Sequence, residues 1–168
     1  MHTKNIGFTL LELLITIVIM MILCGVGVPV YHSLIAKVRA DATVTQLYRA
    51  VYLARSEAIK RNVVVTLCSS QDHYNCSGDW KGGYLVFVDQ RSDGRVDAED
   101  IVIKTFSAIK GDGYIVWKSF PRRNYLQMSP QGFTNNQNGT FYYYPEKNSE
   151  NYTRSLIVSK TGRVRGGQ

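Results

Sequence analysis

The sequence is poor in the residues that catalysis and metal binding draw on. Its 168 residues include three histidines and three cysteines. His2, His32 and His73 fall in three unrelated settings, and no G-x-S-x-G, Walker or Rossmann pattern occurs. No nucleophile–base arrangement can be assembled, so the chain is read as a non-enzyme, with no cofactor and no metal. Proline is scarce as well: four prolines and 14 glycines exclude a collagen-like or low-complexity chain. Charge is missing from one long stretch, because residues 13–36 carry no formally charged side chain and are mostly Leu, Ile, Val and Met. The remainder is much more polar. A mean hydropathy of −0.14 therefore averages two different pieces, which argues against a purely cytosolic soluble domain. With 45% hydrophobic and 20% charged residues, wholesale disorder is excluded too.

Carboxylates are scarce where cations are frequent. The net charge is +7, and residues 110–168 hold nine Lys and Arg against three Asp and Glu, so that third carries nearly all of it. Such asymmetry points to a polyanion, or equally to a solvated basic face. Among the cysteines, Cys24 lies in the apolar run and is expected to be buried and inert. Cys68 and Cys76 enclose a short polar loop. They could form a local disulfide outside the cytosol, or bind a metal, for which only His73 stands nearby.

Residues 1–7 are short, polar and basic through Lys4. The apolar run begins at Phe8, and no A-x-A site for a signal peptidase follows it. From Phe8 the run is long enough to cross a bilayer as a helix if Glu12 is tolerated, and a carboxylate so placed calls for a partner. Gly7-Phe8-Thr9-Leu10-Leu11-Glu12 followed by apolar residues resembles the prepilin cleavage motif of type IV pilins and type II secretion pseudopilins. The resemblance implies cleavage after Gly7 by a membrane-embedded prepilin peptidase and N-methylation of Phe8. It also implies an assembly role for Glu12, pairing with a neighbouring N-terminal amine. Pro29 is expected to kink the helix and not to end it.

From Tyr31 to about Arg61 there is neither Pro nor Gly. Leu47, Val51, Ala54 and Ala58 recur on one helical face, with Arg39, Arg49, Arg55, Lys60 and Arg61 mostly off it. Beyond Asn62 the spacing predicts strands over 63–68, 83–88, 101–106, 114–117, 125–128, 140–144 and 156–159. Turns are expected at Asp79, Gly82, Asp93-Gly94, 111–113, Gly132, Asn138-Gly139 and Thr161-Gly162. A long helix followed by many short strands is an α+β chain with antiparallel sheet. The helix end, the cysteine loop and the WKGGYLVFVD segment resemble the GspH/FimT family of minor pilins and pseudopilins. The expected organisation is a leader over 1–7, a transmembrane and assembly helix over 8–30, its amphipathic continuation over 31–62, and a β-rich periplasmic head with a basic tail over 63–168. In an exported chain Cys68 and Cys76 are expected to be bridged and Cys24 free.

Three further features need weighing. Asp89, Asp93, Gly94, Asp97 and Asp100 fit five positions of a calcium loop, but Arg91 stands where an oxygen ligand is needed and the flanks read as strands, so an acidic hairpin turn is preferred. Phe141 to Tyr144 could stack on bases, but reads first as a strand with aromatics on both faces. At the C-terminus, Arg163 and Arg165 alternate with Val164, so an extended backbone points both guanidiniums the same way, toward phosphate if one is present. Gly162, Arg163 and Arg165 match the GRxR motif of FimT-type minor pilins, which bind DNA during natural transformation. Lys160, Arg154, Arg122 and Arg123 are lesser candidates for phosphate contact. The resemblance implies a minor pilin anchored in the inner membrane before assembly, extracellular when assembled, with DNA, other pilins and the prepilin peptidase as partners. The alternatives are a GspH-like secretion pseudopilin and a structural pilus-priming pilin.

Overall fold

The computed structural model describes residues 9–109, 111, 113–145 and 152–167. The chain divides into two compact units between Ile35 and Ala36, and each is taken by itself. The leader, with Gly7 and Phe8, lies outside the described residues.

One unbroken helix among the described residues, α1, spans Leu10–Arg61. Thr9 caps its start: the Thr9 hydroxyl accepts the Glu12 N–H at 3.3 Å and the Thr9 carbonyl accepts the Leu13 N–H at 3.2 Å. This leaves Glu12 in the first turn, where a carboxylate complements the helix dipole. The helix continues through Pro29, so the proline does not terminate it. The apolar segment is long and hydropathic enough to cross a membrane. Its described side chains are exposed, and Cys24 is a free, exposed thiol. The burial expected for Cys24 is thus not found: the described apolar side chains on either side of it along the helix are exposed as well.

The second unit builds the core. Ala40, Leu47, Ala50, Val51, Ala54 and Ala58 are all buried, so the stripe read at positions 47, 51, 54 and 58 is the face that packs on the sheets. Three of the four residues of that stripe are alanine or valine, which lets strands approach the helix closely. Among the described residues eight strands follow: β1 Val65–Ser69, β2 Gly83–Val88, β3 Ile101–Ser107, β4 Tyr114–Phe120, β5 Tyr125–Met128, β6 Asn138–Tyr144, β7 Arg154–Val158 and β8 Val164–Gly167. They form two antiparallel four-stranded sheets, in the orders β3-β2-β1-β5 and β4-β6-β7-β8.

β1 and β2 are buried on both faces, which is why they read as unbroken apolar runs. Val65, Leu67, Val86, Val88, Leu126 and Met128 face the main core. On the other face Cys68, Leu85 and Phe87 form a second small core with Cys76, Val96 and Tyr125. Two loops close this second core. One is the cysteine loop, pinned by the Cys68–Cys76 disulfide with its Cα atoms 5.6 Å apart. Asp72 organises its tip by accepting the Asn75 and Tyr74 N–H groups at 2.8 and 2.9 Å, and the Asn75 bonds first of all hold its carboxyl well below the usual carboxylate range. The other is the acidic loop. Buried Asp89 accepts the Thr66 hydroxyl at 2.7 Å, the Gln127 side-chain amide at 2.9 Å and the Gly94 N–H at 2.9 Å. Asp100 accepts the Gln90 and Asp97 N–H groups, and Asp97 pairs with Arg91 at 2.6 Å. Local hydrogen bonding therefore accounts for these carboxylates.

Two strand expectations change. Asn138 and Gly139 open β6 where a turn was expected, pairing with Phe120 and Ser119. A Cβ on Gly139 would stand 2.6 Å from the Trp117 ring, so the glycine makes room for an indole crossing the strand and does not serve a turn. The C-terminal residues, expected as a tail, form β8 on the edge of the second sheet.

Candidate nucleic-acid interface

The β7–β8 hairpin decides where the C-terminal arginines stand. The Gly162 N–H donates to the Ser159 carbonyl at 2.9 Å, and the Ser159 N–H donates to the Arg163 carbonyl at 3.0 Å. Gly162 has φ +70°, so this is a turn ending in a left-handed residue. Residues 129–133 repeat the same pattern, with Gly132 at φ +77°. The two turns pack on each other: a Cβ on Gly162 would lie 2.3 Å from the Gly132 carbonyl oxygen. Arg55, half-buried on α1, reaches both turns and donates from Nη1 to the Gly162 carbonyl at 3.0 Å. Thr134 adds a second anchor, its N–H donating to the Lys160 carbonyl at 3.1 Å. The hairpin is thereby fixed to the helix and to a second loop.

Gly162 therefore has a role that its place in the sequence motif does not disclose. It is buried, and its missing side chain admits Gly132 and not a polyanion. Arg163 and Arg165 are both exposed, and Val164 between them is half-buried against the core, as alternation requires. Lys160 is exposed at the turn.

Register extends this face across the sheet. Lys118 on β4 stands opposite Thr140, Thr140 opposite Ile157, and Ile157 opposite Arg165. Lys118 and Arg165 thus end one row on the outer face, three strand spacings or about 14 Å apart. The next row runs from Phe120 through Asn138 toward Ser159 and Arg163. A shallow depression lined by Asn138, Thr140, Ile157, Ser159 and Lys160 lies between these strands. Neither row contains a carboxylate. Lys118 was not singled out in the sequence; its separation of 47 positions from Arg165 hides the pairing, and only the even spacing of Tyr114 and Lys118 along β4 hints at a shared face.

The other candidates are placed differently. Arg154 stands opposite buried Tyr143, on the helix side of the sheet, and its Nε donates to Asp41 of α1 at 3.0 Å. It ties strand to helix and is not part of the outer face. Arg123 is half-buried with its guanidinium 5.7 Å from the Tyr125 ring centre. Arg122 is exposed in the loop after Phe120, at the same end of the sheet as Lys160.

Comparison with known proteins places this geometry in context. Residues 43–162 match the family described as type II transport protein GspH, and residues 3–28 match the prokaryotic N-terminal methylation motif. The chain is 36% identical over 91 residues to the pilin-like protein PilA1 of Thermus thermophilus, covering 54% of this chain and 53% of that protein. It thus aligns with about half the length of that curated relative. Among solved structures, the type IV minor pilin FimU of Pseudomonas aeruginosa is similar with a TM-score of 0.58 at 17% identity, over 79% of this chain and 88% of that one. The minor pseudopilin EpsH from the type 2 secretion system of Vibrio cholerae is similar with a TM-score of 0.55 at 12% identity, over 77% and 96%. At these identities the structural likenesses speak for the fold.

Proposed function

This chain belongs to the GspH family, as a minor type IV pilin or pseudopilin with a structural and not a catalytic role, and from that premise we propose that it is a minor pilin that binds DNA without sequence preference and aids DNA uptake in natural transformation. In this reading the prepilin peptidase removes residues 1–7, Phe8 is N-methylated, and the apolar helix holds the chain in the inner membrane with its head in the periplasm. Glu12 then pairs with a neighbouring pilin's N-terminal amine during assembly, and the assembled chain is extracellular.

The observation that carries the DNA reading is the fixed hairpin presenting exposed Arg163 and Arg165, with Lys118 in register, on rows free of carboxylates. Guanidinium groups held by a braced turn lose little freedom when they engage phosphate in bidentate fashion. Phosphate contact alone carries no base information, which suits uptake of DNA of any sequence. Lys160 and Arg122 would add charge at the same end of the sheet.

The test is a duplex-DNA binding isotherm for the head from Ala36 across a salt series. Each phosphate neutralised contributes about −0.9 to the slope of log K against log salt. Arg163→Gln with Arg165→Gln is expected to make that slope shallower by about two such contacts. Binding should weaken for every sequence while the circular dichroism spectrum is unchanged. If the double variant binds like the parent, the arginines are idle. The alternatives, a type II secretion pseudopilin or a structural pilus-priming pilin, would then stand, the first favoured by the family description.

A further inference from the structure

The same register that aligns Lys118 with Arg165 also collects aromatic rings on the outer face of the second sheet. Tyr114 pairs with Tyr144 across β4 and β6, their rings stacked with centres 5.1 Å apart and 23° between planes. Tyr142 continues the series 6.3 Å from Tyr144 at 26°. The Lys118 ammonium caps it 5.2 Å from the Tyr142 ring centre. Phe141 and Tyr143, the alternate residues of β6, point the other way and are buried.

We propose that this face is a platform for single-stranded DNA, on which an unpaired base stacks against Tyr114, the open end of a series backed by Tyr144 and Tyr142, while phosphates lie along Lys118 and Arg165. The proposal rests on the reading of the chain as a DNA-binding pilin and specifies which form of DNA it holds.

Three observations favour a single strand over other occupants. First, the series is not sealed in the core: Tyr114, on an edge strand and stacked on Tyr144, is 46% exposed. An open ring face on a flat sheet is complementary to the π-face of an unpaired base, whereas bases in a duplex are already stacked on each other. Second, cations and rings adjoin. Lys118 shares the outer face of β4 with Tyr114, two outer-face positions along, so a strand can place a base on the ring and a phosphate on the ammonium. Third, the aligned outer-face positions of β4, β6, β7 and β8 contain no Asp or Glu, which matches an anionic ligand. A purely apolar protein partner would leave Lys118 and Arg165 desolvated without counter-charge.

The experiment uses the full-length chain in detergent micelles and fluorescence anisotropy. Three labelled ligands of equal length are compared: an oligothymidylate of about 12 nucleotides, within the roughly 4–16 that aromatic single-strand sites span, an abasic deoxyribose-phosphate oligomer, and a duplex. The oligothymidylate is expected to bind at least about tenfold tighter than the abasic oligomer, the lower range for one stacked base. Tyr114→Ala should remove about tenfold from oligothymidylate binding, with little effect on the abasic oligomer or the duplex. Tyr114→Phe, which keeps the ring, should restore it. The unmutated comparison of base-bearing with abasic strand decides the matter even if Tyr114→Ala does not fold. Equal binding of those two strands overturns the platform. If the duplex then still binds through Arg163 and Arg165, the broader DNA reading survives. If none of the three ligands binds, both fall and the face is left for a neighbouring protein subunit.

Discussion

Replacing Gly162 by alanine tests whether the hairpin that carries Arg163 and Arg165 is a braced element or a solvated end. Two costs follow from the geometry. At φ +70° an alanine sits in the left-handed region, which costs about 1–2 kcal/mol for an L-residue with an ordinary side chain. Its Cβ would also stand 2.3 Å from the Gly132 carbonyl oxygen, a backbone atom that cannot swing aside. Relieving the contact means moving one turn off the other, and overpacking of that kind costs about 1–3 kcal/mol. The shift also strains the Arg55 bond to the Gly162 carbonyl. A total loss of about 2–5 kcal/mol is expected, a large part of the roughly 5–15 kcal/mol that stabilises an ordinary domain. Urea unfolding of the head from Ala36, followed by tryptophan fluorescence, measures it. With a slope of about 1–3 kcal/mol per molar urea, the midpoint should fall by about 1 M or more. Gly166→Ala is the internal control, because a Cβ there meets no atom within 4 Å and Gly166 has no positive φ. If Gly162→Ala and Gly166→Ala unfold at the same urea concentration, the turn is not held as described and the argument for preset arginines fails with it.

Other expectations bear on the remaining parts of the chain. Cys68→Ser with Cys76→Ser opens a loop of sequence separation 8 and should cost about 2–3 kcal/mol, read by the same urea assay; an unchanged midpoint would mean that the loop closes the second core without its disulfide. Asp72, whose carboxyl is held low by the Asn75 and Tyr74 bonds, contributes stability that is fully present above its ordinary value of 3.8 and is lost only as pH falls through its depressed value. Its side-chain carbon resonance should accordingly titrate well below 3.8 in the folded head and at the ordinary value in urea, and a normal midpoint in the folded head would contradict the Asx turn. The membrane-bound chain should lack residues 1–7 and carry one methyl group on Phe8. An intact Met1 in mass spectrometry, or a cut after the apolar run, would refute the processing reading.

Much about this protein follows from neighbours along the chain. The apolar stretch, the stripe at 47, 51, 54 and 58, and the turn at Thr161-Gly162 depend on contacts within a few residues, so local spacing reveals them. Seven strands were legible from β-branched and aromatic runs for the same reason. The eighth was not, because Val164–Gly167 has two glycines and little strand preference of its own; pairing with β7 makes it a strand. Register is the quantity that local sequence cannot supply, since a shift of one residue sends each side chain to the opposite face. Only the assembled sheet sets Lys118 in line with Arg165, turns Arg154 inward to Asp41, and gathers Tyr114, Tyr142 and Tyr144 on one surface. Only helix packing brings Arg55 to Gly162, 107 positions away, because bonding between such distant residues depends on how the core packs between them. The basic residues of the last third were visible as charge, and the tertiary structure sorted the described ones into those that brace the fold and those that face outward.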